Sequence, residues 1–403
     1  MIFSDVVIIG GGLVGSLAAV GLSKAGLQVS LVEAFSEEKL LDPSFDGRTT
    51  AVNFGSKQIF DSLGIWDILA EKASPINDIK VYEVDSPWSI NFDHSLMGKD
   101  PMGYILDNLK LRQALWGSVK QLNSIDIYSP VTVQKIWYET GFAKLLLSDG
   151  TELAAKLVIG AEGKKSPSRE MLGIAVKEWD YHQTATVATV EHEKPNEHIA
   201  WEAFMPKGPL AFLPLPDCPK SGAHLSGIVW SQSHESSPLA SELDEQEFGR
   251  VLTETFPFYG QIKLTGKRWS YPLKAMVAKQ FTSDRYALVG DSAHHVHPIA
   301  GQGVNLGWRD VVQLLGIVSR AHKLGLDIGS QTVLKQFEYK QRRDIKGIVS
   351  FTDGINKLFA NNSGLLFGIR NAGFGVVNNI KPLKFYFMKQ AMGLHKNNKV
   401  LLS

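Results

Sequence analysis

The start of the chain carries an apolar run with little alternation between apolar and polar positions. Asp5 to Ile9 reads DVVII, which is typical of a parallel strand buried on both faces. A helical pattern follows from Val14 to Lys24, and Gln28 to Val32 predicts a second strand. The pattern therefore predicts a β-α-β unit at the start of the chain.

Two later parts of the chain show regular alternation of apolar and polar residues instead. Alternation predicts strands with one covered and one exposed face, as in an antiparallel sheet. We therefore predict a second domain, whose sheet is exposed on one face unless a ligand or the first domain covers it. Its predicted strands are Ile79 to Val84, Trp88 to Phe92, Thr184 to Val190, Leu210 to Pro216 and Ala223 to Trp230.

Helical patterns lie between and after these strands. The predicted helices are Ser56 to Leu63, Gly103 to Leu115, Asp244 to Phe256, one that starts near Gly303, Thr332 to Phe359, and Leu383 to Met392.

The turn after the first strand has the sequence GGGLVG, a G-x-G-x-x-G formed by Gly10, Gly12 and Gly15. Such glycines allow a tight turn, close approach of the backbone to a pyrophosphate, and close helix–strand packing. Glu33 ends the second strand, where a carboxylate accepts hydrogen bonds from ribose hydroxyls. We predict a dinucleotide site, the alternative being a glycine-rich turn in an unrelated α/β protein. The negative charge of Glu33 excludes NADP as the ligand of this site.

A second candidate ligand loop spans Ala287 to Asp310 (ALVGDSAHHVHPIAGQGVNLGWRD). A buried strand ends at Gly290-Asp291, and a Pro/Gly-rich turn then leads into a helix near Gly303. The carboxylate suits a ligand with hydroxyl groups, while free N–H groups and the positive helix end favour negative charge. Together they suit a ligand that carries hydroxyls and a partly anionic ring.

Composition narrows the class of protein. The 403 residues are 44% hydrophobic and 21% charged, as in a globular enzyme. No run of about 18 apolar residues occurs, so we predict no transmembrane helix. The single Cys218 excludes intramolecular disulfides and cysteine-rich metal sites. Because a strand begins at Asp5, there is no room for a signal peptide, and we expect a cytoplasmic protein with no nucleic-acid partner.

Three histidines, His294, His295 and His297, raise the question of a metal site, since imidazole is a common ligand. No downstream pattern of further ligands accompanies them, so we predict no metal.

The net charge of +1 hides a basic C-terminus. Residues 354–403 contain seven Lys or Arg and no Asp or Glu. One interpretation is a solvated helical segment that packs on the first domain. The other is peripheral contact with an anionic membrane surface, or docking to an acidic partner of a biosynthetic complex.

Three separated elements occur in one order: Gly10 to Gly15 with Glu33, GAEG at 160–163, and Gly290-Asp291 with PIAGQG at 298–303. They resemble the FAD-dependent aromatic monooxygenases related to p-hydroxybenzoate hydroxylase, over essentially the whole chain. Within that superfamily the chain resembles the ubiquinone-biosynthesis hydroxylases. This closer resemblance is carried by Gly290 to Asp310, GYI at 103–105 with Leu111-Arg112, GPLAFLPL at 208–215, and AMG at 391–393.

The resemblance implies roles at the adenosine and phosphate end of FAD. Gly10, Gly12 and Gly15 would contact the pyrophosphate, and Glu33 the adenosine ribose. Arg48 and Arg112 would flank the flavin and the phosphates; from local sequence alone, each is as readily a surface or solvated helix charge.

The resemblance also implies roles at the flavin end. Asp291 would bind the ribityl chain, and Pro298 would lie against the flavin ring. His297 is a candidate for substrate contact, the alternative being a turn histidine bonded to backbone. The remaining flavin-facing positions implied are Gly301, Gly303, Val304 and Asn305.

The implied fold is α/β: a discontinuous, Rossmann-like FAD-binding domain, an inserted, mainly antiparallel β-sheet substrate domain, and a C-terminal helical segment. We expect the FAD-binding domain at 1–74, 101–182 and 271–353. The substrate domain would be 75–100 and 183–270, and the basic helical segment 354–403.

The implied activity is FAD-dependent hydroxylation of a polyprenylated phenol in ubiquinone biosynthesis, with NAD(P)H and O₂ as co-substrates, through a C4a-hydroperoxyflavin. No second G-x-G-x-x-G occurs, which fits transient binding of NAD(P)H. Two alternatives stay open: a hydroxylase of a small soluble aromatic, and a non-catalytic flavin-binding subunit of a complex. Two positions depart from the family pattern, namely Glu162 for the usual Asp and Ala203 where Arg is common.

Overall fold

The computed structural model describes residues 1–84, 86–205, 208–235, 239–296, 301–359 and 373–394. Two eight-stranded sheets and a three-stranded sheet organise the chain.

The first sheet contains the predicted β-α-β unit. Its central strands run parallel in the order β8-β2-β1-β11-β18, with β17 at the edge and the hairpin β9-β10 attached to β11. Strand β2 and the second half of β1 are buried on both faces, as the apolar run predicted for β1. The strands are β1 (Ile2–Ile9), β2 (Val29–Val32), β8 (Ile125–Tyr128), β9 (Val133–Glu139), β10 (Phe142–Leu147), β11 (Glu152–Gly160), β17 (Thr282–Ser283) and β18 (Tyr286–Leu288).

The second sheet has the order β19-β16-β12-β15-β14-β13-β5-β6 and is antiparallel except for the pair β13-β5. It is the sheet that the alternating segments predicted. Its strands are β5 (Asp78–Glu83), β6 (Ser89–Asp93), β12 (Val176–His192), β13 (Ile199–Met205), β14 (Gly208–Pro214), β15 (His224–Ser233), β16 (Ile262–Ala278) and β19 (His294–His295).

A small sheet covers part of one face of the second sheet. Its order is β3-β7-β4, and Ala51 and Ile105 of this sheet pack against Ala200 of β13. The strands are β3 (Thr49–Asn53), β4 (Ser74–Ile76) and β7 (Gly103–Asp107).

Helices cover the remaining faces. The helices α1, α5 and α8 pack on one face of the first sheet, while Ile345 of α9 packs on the other. Within the described residues, no helix is both long and apolar enough to span a bilayer. The helices are α1 (Leu13–Lys24), α2 (Glu37–Leu40), α3 (Phe54–Ser62), α4 (Trp66–Leu69), α5 (Asn108–Lys120), α6 (Pro167–Met171), α7 (Glu245–Thr255), α8 (Gly303–Lys323), α9 (Gln331–Phe359), α10 (373–379) and α11 (Lys381–Ala391).

The predicted helix from Gly103 to Leu115 is wrong in its first part. Residues Gly103–Asp107 form β7, paired with β3, and a Cβ on Gly103 would lie 2.7 Å from the carbonyl oxygen of Val52. The helix begins only after Asp107, whose carboxylate accepts from the N–H of Leu109 at 2.7 Å. Pairing with a distant strand decided the first five residues, which local pattern does not reveal.

The mixed α/β class and the antiparallel second sheet are confirmed. The domain boundaries remain a prediction. Strands β12 and β16 are 17 residues long, and each continues through an expected boundary, at 182/183 and 270/271.

Candidate active site

The glycine turn between β1 and α1 is built by close backbone contacts. Gly10 has φ +103°, and a Cβ there would lie 2.5 Å from the carbonyl oxygen of Ala161. A Cβ on Gly15 would lie 1.8 Å from the carbonyl oxygen of Gly10, so any side chain would force strand and helix apart. A Cβ on Gly12, in contrast, would meet nothing within 4 Å. Gly12 therefore borders open space at the start of α1.

Glu33 lies where β2 ends, beside this turn. Its carboxylate accepts from the N–H of Gly11 at 2.6 Å and from the N–H of Phe35 at 2.8 Å, and the side chain is buried. Trp116 of α5 also contacts the turn and donates to the carbonyl oxygen of Gly11 at 2.9 Å. The hydrogen bond from Gly11 holds the Glu33 carboxylate against the glycine turn.

Asp46, which the sequence reasoning did not select, connects the two candidate arginines. Its carboxylate accepts from Arg48 Nε at 2.8 Å, Asn108 Nδ2 at 2.9 Å and Arg112 Nη1 at 3.3 Å. Burial would raise the pKa of Asp46, but the hydrogen bond and charge of Arg48 lower it. The only signal in the sequence was an acid two residues before Arg48.

The two arginines differ in exposure. Arg112 is buried, donates from Nε to the carbonyl oxygen of Leu40 at 2.7 Å, and has a buried Nη2 without a partner. The side chain of Arg48 is 53% exposed, and its guanidinium lies 5.2 Å from the ring centre of Tyr271 on β16. Arg112 therefore has a buried N–H group available for a ligand.

Asp291 follows β18, as predicted, and its side chain is 40% exposed. Its carboxylate lies 3.0 Å from Nδ1 of His295. Burial would raise the pKa of Asp291, but the hydrogen bond and charge of His295 lower it, with smaller contributions from His294 and Arg48. Arg48 is therefore near enough to Asp291 for the two charges to interact.

The start of α8 lacks a side-chain cap. The N–H groups of Gly303, Val304 and Asn305 have no hydrogen-bond partner among the described residues. The Asn305 side chain is engaged instead, since it accepts from the N–H of Asn53 at 3.1 Å and donates to the carbonyl oxygen of Ala51 at 2.7 Å. Gly301 precedes the helix with φ +61°. The predicted residues His297 and Pro298 lie outside the described residues.

The first turns of α1 and α8 lie against each other. A Cβ on Gly307 would lie 2.7 Å from a methyl group of Val14, and the Trp308 indole donates to the carbonyl oxygen of Leu13 at 3.0 Å. Two helix N-termini, separated by almost the whole chain, therefore meet at one site.

A buried ion pair supports this junction. His294 Nε2 lies 2.6 Å from Oδ2 of Asp310 on α8, and the same oxygen accepts from the N–H of Gly290 at 3.0 Å. Burial would lower the pKa of His294, but the charge and hydrogen bond of Asp310 raise it. His294 and His295 thus pair with two different carboxylates, those of Asp310 and Asp291.

The structure shows the contacts of the two residues that depart from the family pattern, Glu162 and Ala203. Glu162 accepts from the hydroxyl of Ser166 at 3.1 Å, from the N–H of Ser168 at 3.1 Å and from the Ser168 hydroxyl, and burial raises its pKa. Its carboxylate is thus occupied at the start of α6. Ala203 is fully buried in the core beneath α7. Trp201, on the same face of β13, packs against the same core.

The free groups fit FAD. The N–H groups at the start of α1 and the buried Arg112 Nη2 could bind an anionic pyrophosphate, next to the open space at Gly12. Asp291 could accept from ribityl hydroxyls, and the start of α8 could bind the electron-rich edge of the flavin.

Comparison with known proteins agrees with this geometry. The family described as FAD binding domain matches residues 4–349. The chain is 36% identical to the ubiquinone hydroxylase UbiL of Rhodospirillum rubrum, over 98% of this chain and 90% of that protein. It is 31% identical to the 3-demethoxyubiquinol 3-hydroxylase of Escherichia coli, over 97% of this chain and 99% of that protein.

The fold is also that of a solved structure. The p-nitrophenol 4-monooxygenase PnpA of Pseudomonas putida superposes with a TM-score of 0.79 at 20% identity, over 97% of this chain and 99% of that one. The chain belongs to the FAD-dependent aromatic monooxygenase family, among relatives that include the ubiquinone hydroxylases.

Proposed function

We propose that this protein hydroxylates the aromatic ring of a polyprenylated phenol in ubiquinone biosynthesis, with FAD, NAD(P)H and O₂. The observation that carries the proposal is the similarity to a ubiquinone hydroxylase over 98% of the chain. When bound, FAD supplies the redox chemistry that activates O₂. The protein's own contribution is to bind the cofactor, orient the ring and exclude water.

The residues around the open space have distinct proposed roles. Gly10, Gly12 and Gly15 admit the pyrophosphate, and Arg112 binds it. Glu33, which already accepts two N–H groups, has carboxylate lone pairs left for the adenosine ribose.

At the flavin end, Asp291 binds the ribityl chain, and Arg48 flanks the flavin. The N–H groups of Gly303, Val304 and Asn305 bind the flavin edge. His297 and Pro298 keep their predicted roles at the substrate and at the flavin ring.

The substrate side supports an apolar ligand. Around the cofactor-facing side of the second sheet, Ile76, Ile105 and Ala200 form one apolar cluster, and Ile90, Phe204 and Phe374 form another. Strands β13 (IAWEAFM) and β14 (GPLAFLP) contain no Lys or Arg that could bind a substrate carboxylate. Such a lining favours a prenylated phenol over a small aromatic acid.

A lipid extract from a strain that lacks this protein tests the proposal. One polyprenyl-phenol that lacks a ring hydroxyl should accumulate, and its structure names the ring position. An unchanged quinone pool would contradict the biosynthetic role. Purified protein should bind FAD, and an alkylphenol should stimulate its NAD(P)H oxidation; no stimulation would favour a non-catalytic flavin-binding subunit.

We further propose that the C-terminal helices contact an anionic lipid surface. Val376 of α10, Ile380 between the two helices and Tyr386 of α11 are apolar or aromatic side chains that are 47%, 48% and 56% exposed. Lys381 and Lys389 are exposed beside them. Apolar side chains between lysines suit a surface of anionic headgroups over apolar chains.

Vesicle flotation tests this contact. Vesicles of phosphatidylcholine with phosphatidylglycerol should retain the protein, and phosphatidylcholine alone should not. Replacing Lys381 and Lys389 by Gln should weaken retention on the order of 30-fold, at about 1 kcal/mol per lysine. The matched control replaces Lys335 and Lys340, which are exposed on α9. Equal loss in both double variants, or no retention of the wild type, would contradict the proposal.

A further inference from the structure

Glu202 is a carboxyl group on the cofactor-facing side of the second sheet. It lies on β13, opposite Val81 of β5 and Ala211 of β14. Side chains alternate along a strand, so Glu202 shares its face with Ala200 and Phe204, while Trp201 and Ala203 face α7. The carboxyl group therefore points away from the α7 core.

The neighbours of Glu202 along the strand locate it relative to the cofactor site. Ala200 packs in the cluster that includes Ala51, whose carbonyl oxygen accepts from Asn305 at the start of α8. Phe204 packs against Phe374 of the C-terminal segment. Glu202 thus lies between the Ala200 cluster, which contacts the residues that hold the start of α8, and the Phe204 cluster, which includes the C-terminal segment.

Within the part of the chain that the structure describes, the carboxyl group of Glu202 has no partner. The side chain of Glu202 makes no hydrogen bond or ion pair with any described residue, although it is half-buried. Carboxyl groups that are shielded from water normally have a hydrogen-bond or ion-pair partner, because burial strongly disfavours an unpaired charge. A carboxyl group without a partner on this face therefore destabilises the folded protein, and a ligand with a hydrogen-bond donor would supply the missing partner.

Few other charges face Glu202. Strands β3 and β14 contain no charged residue, and Lys80 of β5 lies over Trp201 on the opposite face. Glu83 is the other acid on this face of β5, opposite Phe204. Burial raises the pKa of Glu202 to about 7, so the group changes charge near neutral pH.

Building on the proposed function, we propose that Glu202 is a catalytic residue that contacts the phenolic hydroxyl of the substrate and accepts its proton. The O–H bond breaks, the proton moves to a carboxylate oxygen, and the electron pair stays on the phenol oxygen. The ring becomes more electron-rich at the carbon that receives oxygen. After hydroxylation the carboxylic acid returns the proton to the phenolate, so none is consumed.

Wild-type holoenzyme allows a first test without substitution. The probes are 2-octylphenol and its methyl ether, which share the ring and chain but differ in the hydroxyl proton. We expect the phenol to bind at least 10-fold more tightly than the ether above pH 7, since hydrogen bonds to charged groups are strong. The preference should shrink as the pH falls below 6. Equal binding of both probes across this range would overturn the proposal.

The second test is Glu202→Gln, which keeps size and a hydrogen-bond acceptor but cannot take a proton. The kcat should fall on the order of 100-fold, and KM for 2-octylphenol should rise about 10-fold, because the variant keeps an acceptor but loses the charge. The wild-type kcat should rise with pH around a midpoint near 7, and this rise should be absent in the variant. Glu202→Asp should recover part of kcat and the pH dependence.

The control is Glu191→Gln, on an exposed position of β12 in the same sheet, which should behave as wild type. Wild-type kcat and pH profile in Glu202→Gln would overturn the role of Glu202 and leave the proposed function intact. If no alkylphenol stimulates NAD(P)H oxidation in the wild type, the proposed function itself fails.

Discussion

The indole Nε1 of Trp308 donates to the carbonyl oxygen of Leu13 at 3.0 Å, and so joins the first turn of α8 to the first turn of α1. Trp308 is fully buried and also packs edge-on against Phe60, with ring centres 4.8 Å apart. The two helix ends that are proposed to bind the cofactor are thereby held in one arrangement.

Trp308→Phe should lower the free energy of unfolding by about 2 kcal/mol, since it removes the hydrogen bond between the indole and Leu13 and opens a small cavity. FAD affinity should fall as well, because the two N-termini lose their fixed spacing. Chemical denaturation and FAD titration measure the two effects. Trp88→Phe, at a side chain that is 50% exposed, is the control. Unchanged FAD affinity in Trp308→Phe would show that the junction does not set the site.

Two glycines of one turn should respond differently to alanine. Gly12→Ala adds a methyl group that meets no protein atom, so stability should stay within about 0.5 kcal/mol of the wild type. FAD affinity should nevertheless fall at least about 10-fold, because the methyl group occupies the pyrophosphate space. Gly15→Ala should lose both stability and FAD, since its Cβ would lie 1.8 Å from the carbonyl oxygen of Gly10.

Gly117→Ala on α5, where a Cβ also meets nothing within 4 Å, provides the control and should retain FAD. A Gly12→Ala protein that binds FAD as tightly as the wild type would refute the assignment of this turn to the pyrophosphate.

Asp46→Asn should lower the free energy of unfolding by about 3 kcal/mol, because buried Arg112 loses its counter-charge. The pKa of Asp46 is lowered from 3.8 in the folded protein. The contribution of its carboxylate to the free energy of unfolding is therefore complete above pH 3.8, and it is lost as the pH falls through the pKa of the folded state. The difference between variant and wild type should therefore shrink in acid. Asp42→Asn, an exposed position of the same loop, should change little. A constant difference at all pH values would contradict this explanation.

The His294–Asp310 pair should make stability depend on pH in the opposite direction. The pKa of His294 is raised above 6.5 in the folded protein, so the pair's contribution is complete below pH 6.5 and is lost as the pH rises through the folded value. Asp310→Asn should cost about 3 kcal/mol at pH 6. Its stability should also decline less than that of the wild type between pH 6.5 and the alkaline range. Parallel curves for both proteins would show that His294 does not titrate here.

Local sequence was sufficient for the elements whose cause is local. The run at Val6 to Ile9 and the glycines after it identified the β-α-β unit and its ligand turn, because strand burial and glycine conformation depend on consecutive residues. Gly290-Asp291 likewise identified the second loop. Both motifs lie at the positions that the sequence predicted.

The tertiary structure decided everything that depends on residues far apart in the chain. Residues Gly103–Asp107 form a strand because they pair with β3. Asp46 accepts hydrogen bonds from both Arg48 and Arg112 because α5 brings Arg112 next to it. The face on which Glu202 points depends on the register of β13 between β5 and β14. Such pairings arise from packing of distant segments, which no local period encodes. The sequence by itself determined the two ligand loops; only the tertiary structure decided that they face each other across one site.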